Sequence, residues 1–582
     1  MPDPPPTNRE VAARLQLLGD LLEIEGGPVR HRVVAYRRAA DQIRSAGGPV
    51  ARMALEGRAV ELPGIGPTIQ AKIVELAETG EIGALARLRE RVPEGLVRIA
   101  ALRGIGPRRA LAVWRELGVS GPEELAEAAK AGRLRGVAGF GPRTEAAVLE
   151  QLAAGGGAAG ADGGEPRMSL GRALALAEDL ARDLALAEPG ARVAVAGSVR
   201  RGAELVGDID LVAGTDAPER VHAAFAAHQA VESVVAQGAA RSAVMLHAGL
   251  RAELQTGPLG AFGNLLQHAT GSAAHNLRLR QHAARRGLSV SERGVLGSDG
   301  TLTTHAEEDD VYAALGLAPI PPELREDRGE IEAALAGVLP RLVEHGDLVG
   351  DLHVHSDWSD GRETIAAMAA AARERGYAYL GISDHSQSLR MAGGLEPDRV
   401  RRQWELIDQL NARDDGIRIL KATEVDILTD GRIDFDDDLL AGFDWVTASL
   451  HSGFSQDARR LTERVLAAIE SPHVDAIGHP TGRMLGRREA APLDLDRVLE
   501  AAARTGTFLE INSQPRRLDL NEAMAREALR GGVRLVIGSD AHGAAGLDLV
   551  RLGVAVARRA GAGPADIGNA RGWDELAAMR AG

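Results

Sequence analysis

Residues 348–582 contain seven strand-like runs, at 351–356, 379–385, 419–427, 445–451, 474–479, 508–512 and 534–542, each preceding or alternating with a helical pattern. Few architectures accept that rhythm, and it is the signature of a β/α barrel. Six of the seven runs contain or end in a potential metal ligand, and residues at strand C-terminal ends meet at one face of a barrel, where barrel active sites lie. The ligand-type residues are His353, His355, Asp360, His385, Glu424, His451, His479, Asp540 and His542. A lone histidine is more often a satisfied core or surface residue. An H-x-H near the start, a D-x-H at the end and three further strand-terminal histidines between them point instead to a shared metal site. Imidazole and carboxylate together accept Zn, Mn or Fe about equally well, so the sequence does not choose the metal.

A second stretch is Gly197-Ser198-Val199-Arg200-Arg201-Gly202, followed by Gly207-Asp208-Ile209-Asp210-Leu211-Val212. Residues 193–196 read as a strand entering a Gly-Ser turn. Asp208 and Asp210 sit two apart in a strand-like run, so both carboxylates share one face while Ile209 points away. Two divalent ions on such carboxylates can clamp the attacking and leaving oxygens of a phosphoryl transfer, while the amides and hydroxyl of the turn cradle phosphate. On its own, D-x-D is more often the wet face of a partly solvated strand. Further along the chain come Glu253, within Leu250-Arg251-Ala252-Glu253-Leu254, and then Thr270-Gly271-Ser272-Ala273-Ala274-His275-Asn276.

Residues 8–152 read as short amphipathic helices punctuated by three related turns, Gly64-Ile65-Gly66-Pro67, Gly104-Ile105-Gly106-Pro107 and Gly139-Phe140-Gly141-Pro142. Glycines permit a tight turn between helices and close approach of a phosphate, which the next helix N-terminus can accept. One such turn is a common helix connection; three of the same shape are not explained that way. The 153–166 segment, rich in Gly and Ala, reads as a flexible linker.

Net charge is −14, unevenly divided along the chain. Residues 1–152 carry 22 Lys and Arg against 19 Asp and Glu, 153–347 carry 17 against 26, and 348–582 carry 29 against 37. The basic N-terminal part suits duplex binding, and the acidic remainder suits sites that collect divalent cations. The absence of cysteine excludes disulfides, thiolate zinc sites and cysteine nucleophiles. No apolar run reaches membrane-spanning length and the N-terminus lacks the pattern of a signal peptide, so a cytoplasmic protein is expected.

The ordered set around Asp208, Asp210, Glu253 and Thr270-Gly271-Ser272 resembles the palm and thumb of family X DNA polymerases, and the three turns resemble helix-hairpin-helix motifs. The resemblance implies that Asp208, Asp210 and Glu253 hold catalytic Mg²⁺ or Mn²⁺. It likewise implies that Gly197, Ser198, Arg201, Gly271 and Ser272 bind the incoming triphosphate, with Asn276 and Arg280 at the base or template. Gly64, Gly66, Gly104, Gly106, Gly139 and Gly141 would contact DNA. Two positions depart from the family pattern: Glu253 stands where aspartate is usual, and His268-Ala269 replaces the Tyr-Phe pair beside the sugar. Residues 30–40 and 69–73 resemble the family's small lyase-type domain, with Lys72 at the Schiff-base position. Lysine can deprotonate to attack a sugar aldehyde where arginine cannot, and the chain has only three lysines. A surface or phosphate-binding lysine is the alternative. Arg32 and Thr68 stand where lyase-active members often carry lysine.

The barrel resembles the polymerase and histidinol phosphatase (PHP) domain in its three-metal form. That resemblance implies one ion on His353, His355, Glu424 and Asp540, a second on His451 and His479 bridged by Glu424, and a third on Asp360, His385 and His542. The implied chemistry is metal-assisted attack of water on a phosphoester. The expected fold is multidomain: a lyase-like helical domain at 1–95, a fingers-like helix-hairpin-helix domain at 96–152, the linker, an α+β nucleotidyltransferase palm at 167–257, a thumb-like subdomain at 258–320, a connector at 321–347 and a seven-stranded distorted barrel at 348–582. The expected function is gap-filling DNA repair synthesis on gapped or nicked DNA with deoxynucleoside triphosphates, by a monomer. The barrel would supply a 3′–5′ exonuclease, with AP endonuclease or 3′-phosphatase chemistry as variants. The alternatives are a PHP phosphatase or nuclease, and a DNA-end-binding scaffold with a weakened polymerase site.

Overall fold

The computed structural model describes residues 5–102, 104–153 and 167–580, so the expected linker lies, beyond its first residue, outside the described residues. Two compact units share the chain, one of Met1–Arg167, Leu186–Glu188 and Ala217–Gln255, the other of Met168–Ala185, Pro189–Asp216 and Thr256–Gly582. No described helix is long and apolar enough to cross a membrane.

In the first unit, helix Asn8–Glu25 starts at a capping box in which the Thr7 hydroxyl accepts from the Glu10 amide and the Glu10 carboxylate accepts from the Thr7 amide. Its apolar stripe of Val11, Leu15, Leu18 and Leu22 is buried with Ile43, Ile73, Leu85, Ile99, Val113 and Leu125 from later in the unit. The three Gly-x-Gly turns share one construction. Their first glycines take φ of 81°, 85° and 88° at Gly64, Gly104 and Gly139, a region that side chains disfavour. The residues between the glycines, Ile65, Ile105 and Phe140, are buried in the core, which leaves the glycine backbone on the outside. Helices Pro67–Thr79, Gly106–Leu117 and Pro142–Ala153 then begin at or beside proline, whose missing N–H is harmless in the first turn. The same unit contains the antiparallel strands Val231–Gln237 and Arg241–Leu246 and, as far as Gln255, the strand Arg251–Gly257.

In the second unit, strands Arg192–Val195 and Asp208–Gly214 pair antiparallel. Helices Phe262–Thr270 and Ala273–Arg285 lead into a small three-stranded antiparallel sheet, Ser289–Ser291, Gly294–Leu296 and Leu302–Thr303. The barrel strands are Gly350–Val354, Tyr379–Ile382, Arg418–Asp426, Trp445–Ser449, Ala476–Gly478, Phe508–Asn512 and Leu535–Gly538, all parallel and adjacent in sequence order. First and last meet through the His355 amide and the Ala541 carbonyl at 2.9 Å, so the barrel nearly closes. Its floor is apolar: Leu352, Tyr379, Ala422, Trp445, Ala476, Phe508 and Val536 pack together, with Trp573 and Leu576 of the C-terminal helix against them. The polar contents are thereby confined to the other end.

Candidate functional site

Side-chain alternation explains how the barrel fills its C-terminal end. Glu424 lies two residues beyond inward-facing Ala422, and Glu510 two beyond Phe508, so both carboxylates enter the interior above the apolar floor. Strict alternation from Leu352 would turn His353 and His355 outward. The register of the first strand shifts between Asp351 and Val354, which allows both imidazoles to join the inward face. Glycine on neighbouring strands leaves the space: a Cβ at Gly538 would lie 2.1 Å from Glu510 Oε1 and 2.9 Å from the His353 Cβ.

The sequence-derived ligands converge there. Glu424 is 1 % exposed, and its two oxygens face different partners. Oε2 lies 3.4 Å from His353 Nε2, 3.6 Å from His355 Nε2 and 2.9 Å from His385 Nδ1, while Oε1 lies 3.2 Å from His451 Nε2 and 2.8 Å from His479 Nε2. Asp540 Oδ1 is 3.2 Å from His355 Nε2, and Asp360 reaches His542 at 3.3 Å and His385 at 3.5 Å. Ligand atoms gather as His353, His355 and Asp540, as His385, Glu424 and His451, and as His355, Asp360, His385 and His542. His355 and His385 thus each stand in two groups, where the PHP resemblance implies one ion apiece. His353 Nε2, His355 Nε2 and Glu424 Oε1 are buried without a hydrogen-bond partner, although opposite charges lie close by. Buried polar atoms that converge without bonding one another fit a shared divalent ion.

Charge in this enclosure is strongly coupled. Burial disfavours the imidazolium of His385, but Glu424 and Asp360 outweigh it and raise the pKa to about 10. The same opposition, with Glu424 and Asp426, raises His451 to about 9. Burial also opposes charge on His353, yet Glu510, Glu424 and Asp540 hold its pKa well above the usual value. Burial and Arg517 take His479 down to about 4. Burial, the dominant effect, opposes ionisation of Glu424 and Asp540, but the surrounding imidazoles hold both far below the carboxylate range.

A second layer of carboxylates escaped the sequence reading. Glu510 Oε1 sits 2.6 Å from His353 Nδ1, and Asp426 Oδ1 sits 2.5 Å from His451 Nδ1, which directs each Nε2 toward the ligand cluster. Asp384 accepts from the Ser356 amide at 2.8 Å and from Gln403 at 2.6 Å, fixing the loop that carries Asp360. Their signal was a buried acid inside, or just beyond, an otherwise apolar strand.

The second candidate site is the Gly-Ser turn. Ile209 is fully buried, Asp208 exposed and Asp210 half-buried, as alternation requires. Gly197 takes φ 59°, and a Cβ there would fall 1.9 Å from Asp210 Oδ2, so only glycine lets the turn close over that carboxylate. The Ser198 hydroxyl is buried without a partner, which fits a turn that awaits a phosphate oxygen. Arg201 donates to the Thr270 carbonyl at 2.6 Å and to Glu326 at 3.1 Å, and Gly271 packs beside its guanidinium. Ser272 caps helix Ala273–Arg285. On that helix, Asn276 donates to the His268 carbonyl at 2.8 Å, and Arg280 is exposed. His275, which the sequence reading passed over, is fully buried between Glu330 at 2.7 Å and the Tyr312 hydroxyl at 3.0 Å. In the first unit, Glu253 lies on strand Arg251–Gly257 with Arg251 at 2.6 Å, and Lys72 is half-buried on helix Pro67–Thr79.

An enclosed histidine and carboxylate cluster on a parallel barrel, in one chain with a phosphate-shaped turn over paired aspartates, defines a protein of metal-dependent phosphoryl chemistry. Comparison with known proteins narrows the class. Family models match for a helix-hairpin-helix domain at 6–82, a SAM-like helix-hairpin-helix tandem at 96–154, a DNA polymerase beta thumb at 265–326 and a PHP domain at 351–514. The DNA polymerase/3′-5′ exonuclease PolX of Bacillus subtilis is 37% identical over 575 residues, spanning 98% of this chain and 99% of the relative. Probable phosphatases of Caldanaerobacter subterraneus and of a Thermoanaerobacter species are 34% and 33% identical, each over 34% of this chain and 76% and 79% of their own lengths. The chain belongs to the family X DNA polymerases that carry a PHP domain.

Proposed function

We propose that the protein is a gap-filling DNA polymerase of repair synthesis with a 3′–5′ exonuclease in its barrel. The observation that carries the reading is the pair of candidate sites in a chain that aligns from end to end with a polymerase/exonuclease. In the palm, Asp208, Asp210 and Glu253 hold Mg²⁺ or Mn²⁺, while Gly197, Ser198, Arg201, Gly271 and Ser272 bind the triphosphate of an incoming deoxynucleotide, with Asn276 and Arg280 at the base or template. In the barrel, the nine ligands hold three divalent ions drawn from Zn²⁺, Mn²⁺ and Fe. Bound there, such ions lower the pKa of water and neutralise phosphoester charge. The chain's own residues do the rest: Glu424 offers one oxygen to each of two ligand groups, and Glu510 and Asp426 keep His353 and His451 in the ligating tautomer.

The glycine turns at Gly64, Gly66, Gly104, Gly106, Gly139 and Gly141 hold the backbone of gapped or nicked duplex. Lys72 lies in the lyase-like part, with Schiff-base chemistry as its role. The domain boundaries at 95, 152, 166, 257, 320 and 347, the monomeric state and a cytoplasmic location belong to the same proposal. Similarity of the barrel to probable phosphatases favours a second reading of that domain, removal of a 3′-phosphate. Incubating a gapped duplex with nucleotides and Mn²⁺ or Mg²⁺, beside the same duplex with a blocked 3′-phosphate, separates the activities. Extension and shortening support the proposal, unblocking without shortening supports the phosphatase reading, and binding without turnover refutes both.

A further inference from the structure

One barrel helix reaches the phosphate-binding turn of the palm. Helix Val550–Ala560 sets Arg551, Leu552, Ala555, Arg558 and Arg559 along one face. A Cβ at Gly171 would strike Leu552 at 2.8 Å, and one at Gly202 would meet Ala555 at 3.2 Å, so the helix lies directly on the palm half of this unit. Arg551 pairs with Glu178 at 3.1 Å and Arg558 with Glu323 at 2.7 Å. Arg559 goes furthest. It is 8 % exposed, and its Nη1 donates to the main-chain oxygen of Arg201 at 2.7 Å and to Glu326 Oε1 at 3.0 Å. The same Glu326 oxygen accepts from Arg201 Nε at 3.1 Å, and Glu522 holds the Nε of Arg559.

Glu326 is therefore shared between a barrel arginine and the arginine assigned to the triphosphate. A carboxylate that satisfies two guanidinium groups holds each less tightly than one that has a single partner. Removing Arg559 would leave Glu326 to Arg201 alone, drawing that guanidinium into a closer ion pair and away from a phosphate. It would also release the backbone of the turn.

We propose that Arg559 is a positioning residue for nucleotidyl transfer: the barrel, through Arg559 and Glu326, sets how available Arg201 is to the incoming triphosphate. This rests on the nucleotide-binding role proposed for Arg201. In the full-length protein, Arg559→Met should raise KM for the nucleotide in single-gap filling about tenfold, the scale of one charge-assisted hydrogen bond, and leave kcat and 3′-end degradation unchanged. Adding Glu326→Gln to Arg559→Met should bring KM back toward the wild-type value, because the competing charge is gone. An anchoring role alone would not produce that reversal. Arg559→Lys keeps a cation beside Glu326 and should give a smaller rise, which serves if Arg559→Met does not fold. An unchanged KM in the Arg559 variants, or a rise that Glu326→Gln does not reverse, overturns the inference if Arg201→Ala raises KM. If Arg201→Ala leaves KM unchanged, the nucleotide-binding role of Arg201 falls, and the inference with it.

Discussion

Glu510→Gln tests the barrel chemistry through a residue that is not itself a proposed ligand. The substitution keeps the side-chain volume and removes the charge. Glu510 Oε1 lies 2.6 Å from His353 Nδ1, while Oε2 accepts from the His479 amide at 2.6 Å and from Asn512 at 3.2 Å. An amide must turn its NH₂ to one side or the other. Toward His479, two donors meet and a buried N–H loses its acceptor, at a cost of about 1–3 kcal/mol. Toward His353, the ring must accept at Nδ1 and carry its proton on Nε2, the atom needed by an ion. Loss of such a carboxylate partner typically weakens metal binding by about 10–100-fold, or about 1.4–2.8 kcal/mol, which agrees with the hydrogen-bond figure. Chelator competition measures the affinity, and primer degradation measures the consequence, with gap filling on the same preparation as the control. A Glu510→Gln protein that binds metal within twofold of wild type and degrades primer at the normal rate would refute the argument.

Asp210→Asn should abolish nucleotide addition while primer degradation continues; loss of both activities in a folded protein would sink the two-site reading. Burial opposes charge on His385 and His451, but their carboxylate neighbours hold them at about 10 and about 9, above the ordinary histidine value near 6.5. Because these folded pKa values are raised, the stabilisation is complete below the unfolded pKa and is lost as pH rises through about 9 and 10. The metal-free protein should therefore lose melting temperature over that window, and loading metal at neutral pH should release protons, readable in buffers of differing ionisation enthalpy. A metal-free melting temperature that is flat across the window would contradict this. Borohydride should trap a Schiff base between Lys72 and a 5′ sugar-phosphate aldehyde, and Lys72→Ala should lose the adduct while retaining DNA binding. No adduct with the wild type removes the lyase role.

Much of the barrel was legible because its proposed ligands sit at or just beyond strand C-termini in a repeating pattern. The strand Ala476–Gly478 ends one residue before His479, and Leu535–Gly538 two before Asp540. The supporting carboxylates were harder to read. Glu510 and Asp426 share parity with Phe508 and Glu424, but an acid in a strand also suits a wet edge, and closure of the barrel decides between the two. The register shift that turns His353 and His355 inward has no marker in the sequence. Nor does the union of the Asp208 and Asp210 strand with the barrel in one compact unit. Contacts such as that of Arg559 with the Arg201 main chain join them, between residues more than three hundred positions apart.

Backbone strain shows how the barrel holds its proposed ligands in place. His479 and Asp540 have φ of 29° and 52°, a region that costs a side chain about 1–3 kcal/mol unless its surroundings fix it. Both lie just past strands that flank Phe508–Asn512. From that central strand and the loop after it, Glu510 accepts the His479 amide, Asn512 donates to Asp540 Oδ2 at 3.1 Å, and Gln514 donates to the Asp540 carbonyl at 2.6 Å. One strand thus pins a strained proposed ligand on each side, and its Glu510 also orients His353 from the first strand. The proposed ligands come from separate strands and loops, yet their geometry depends on this shared support. Damage at Glu510 should therefore spread to ligands that Glu510 touches only through the backbone, whereas removing a half-buried ligand such as His542 should stay local.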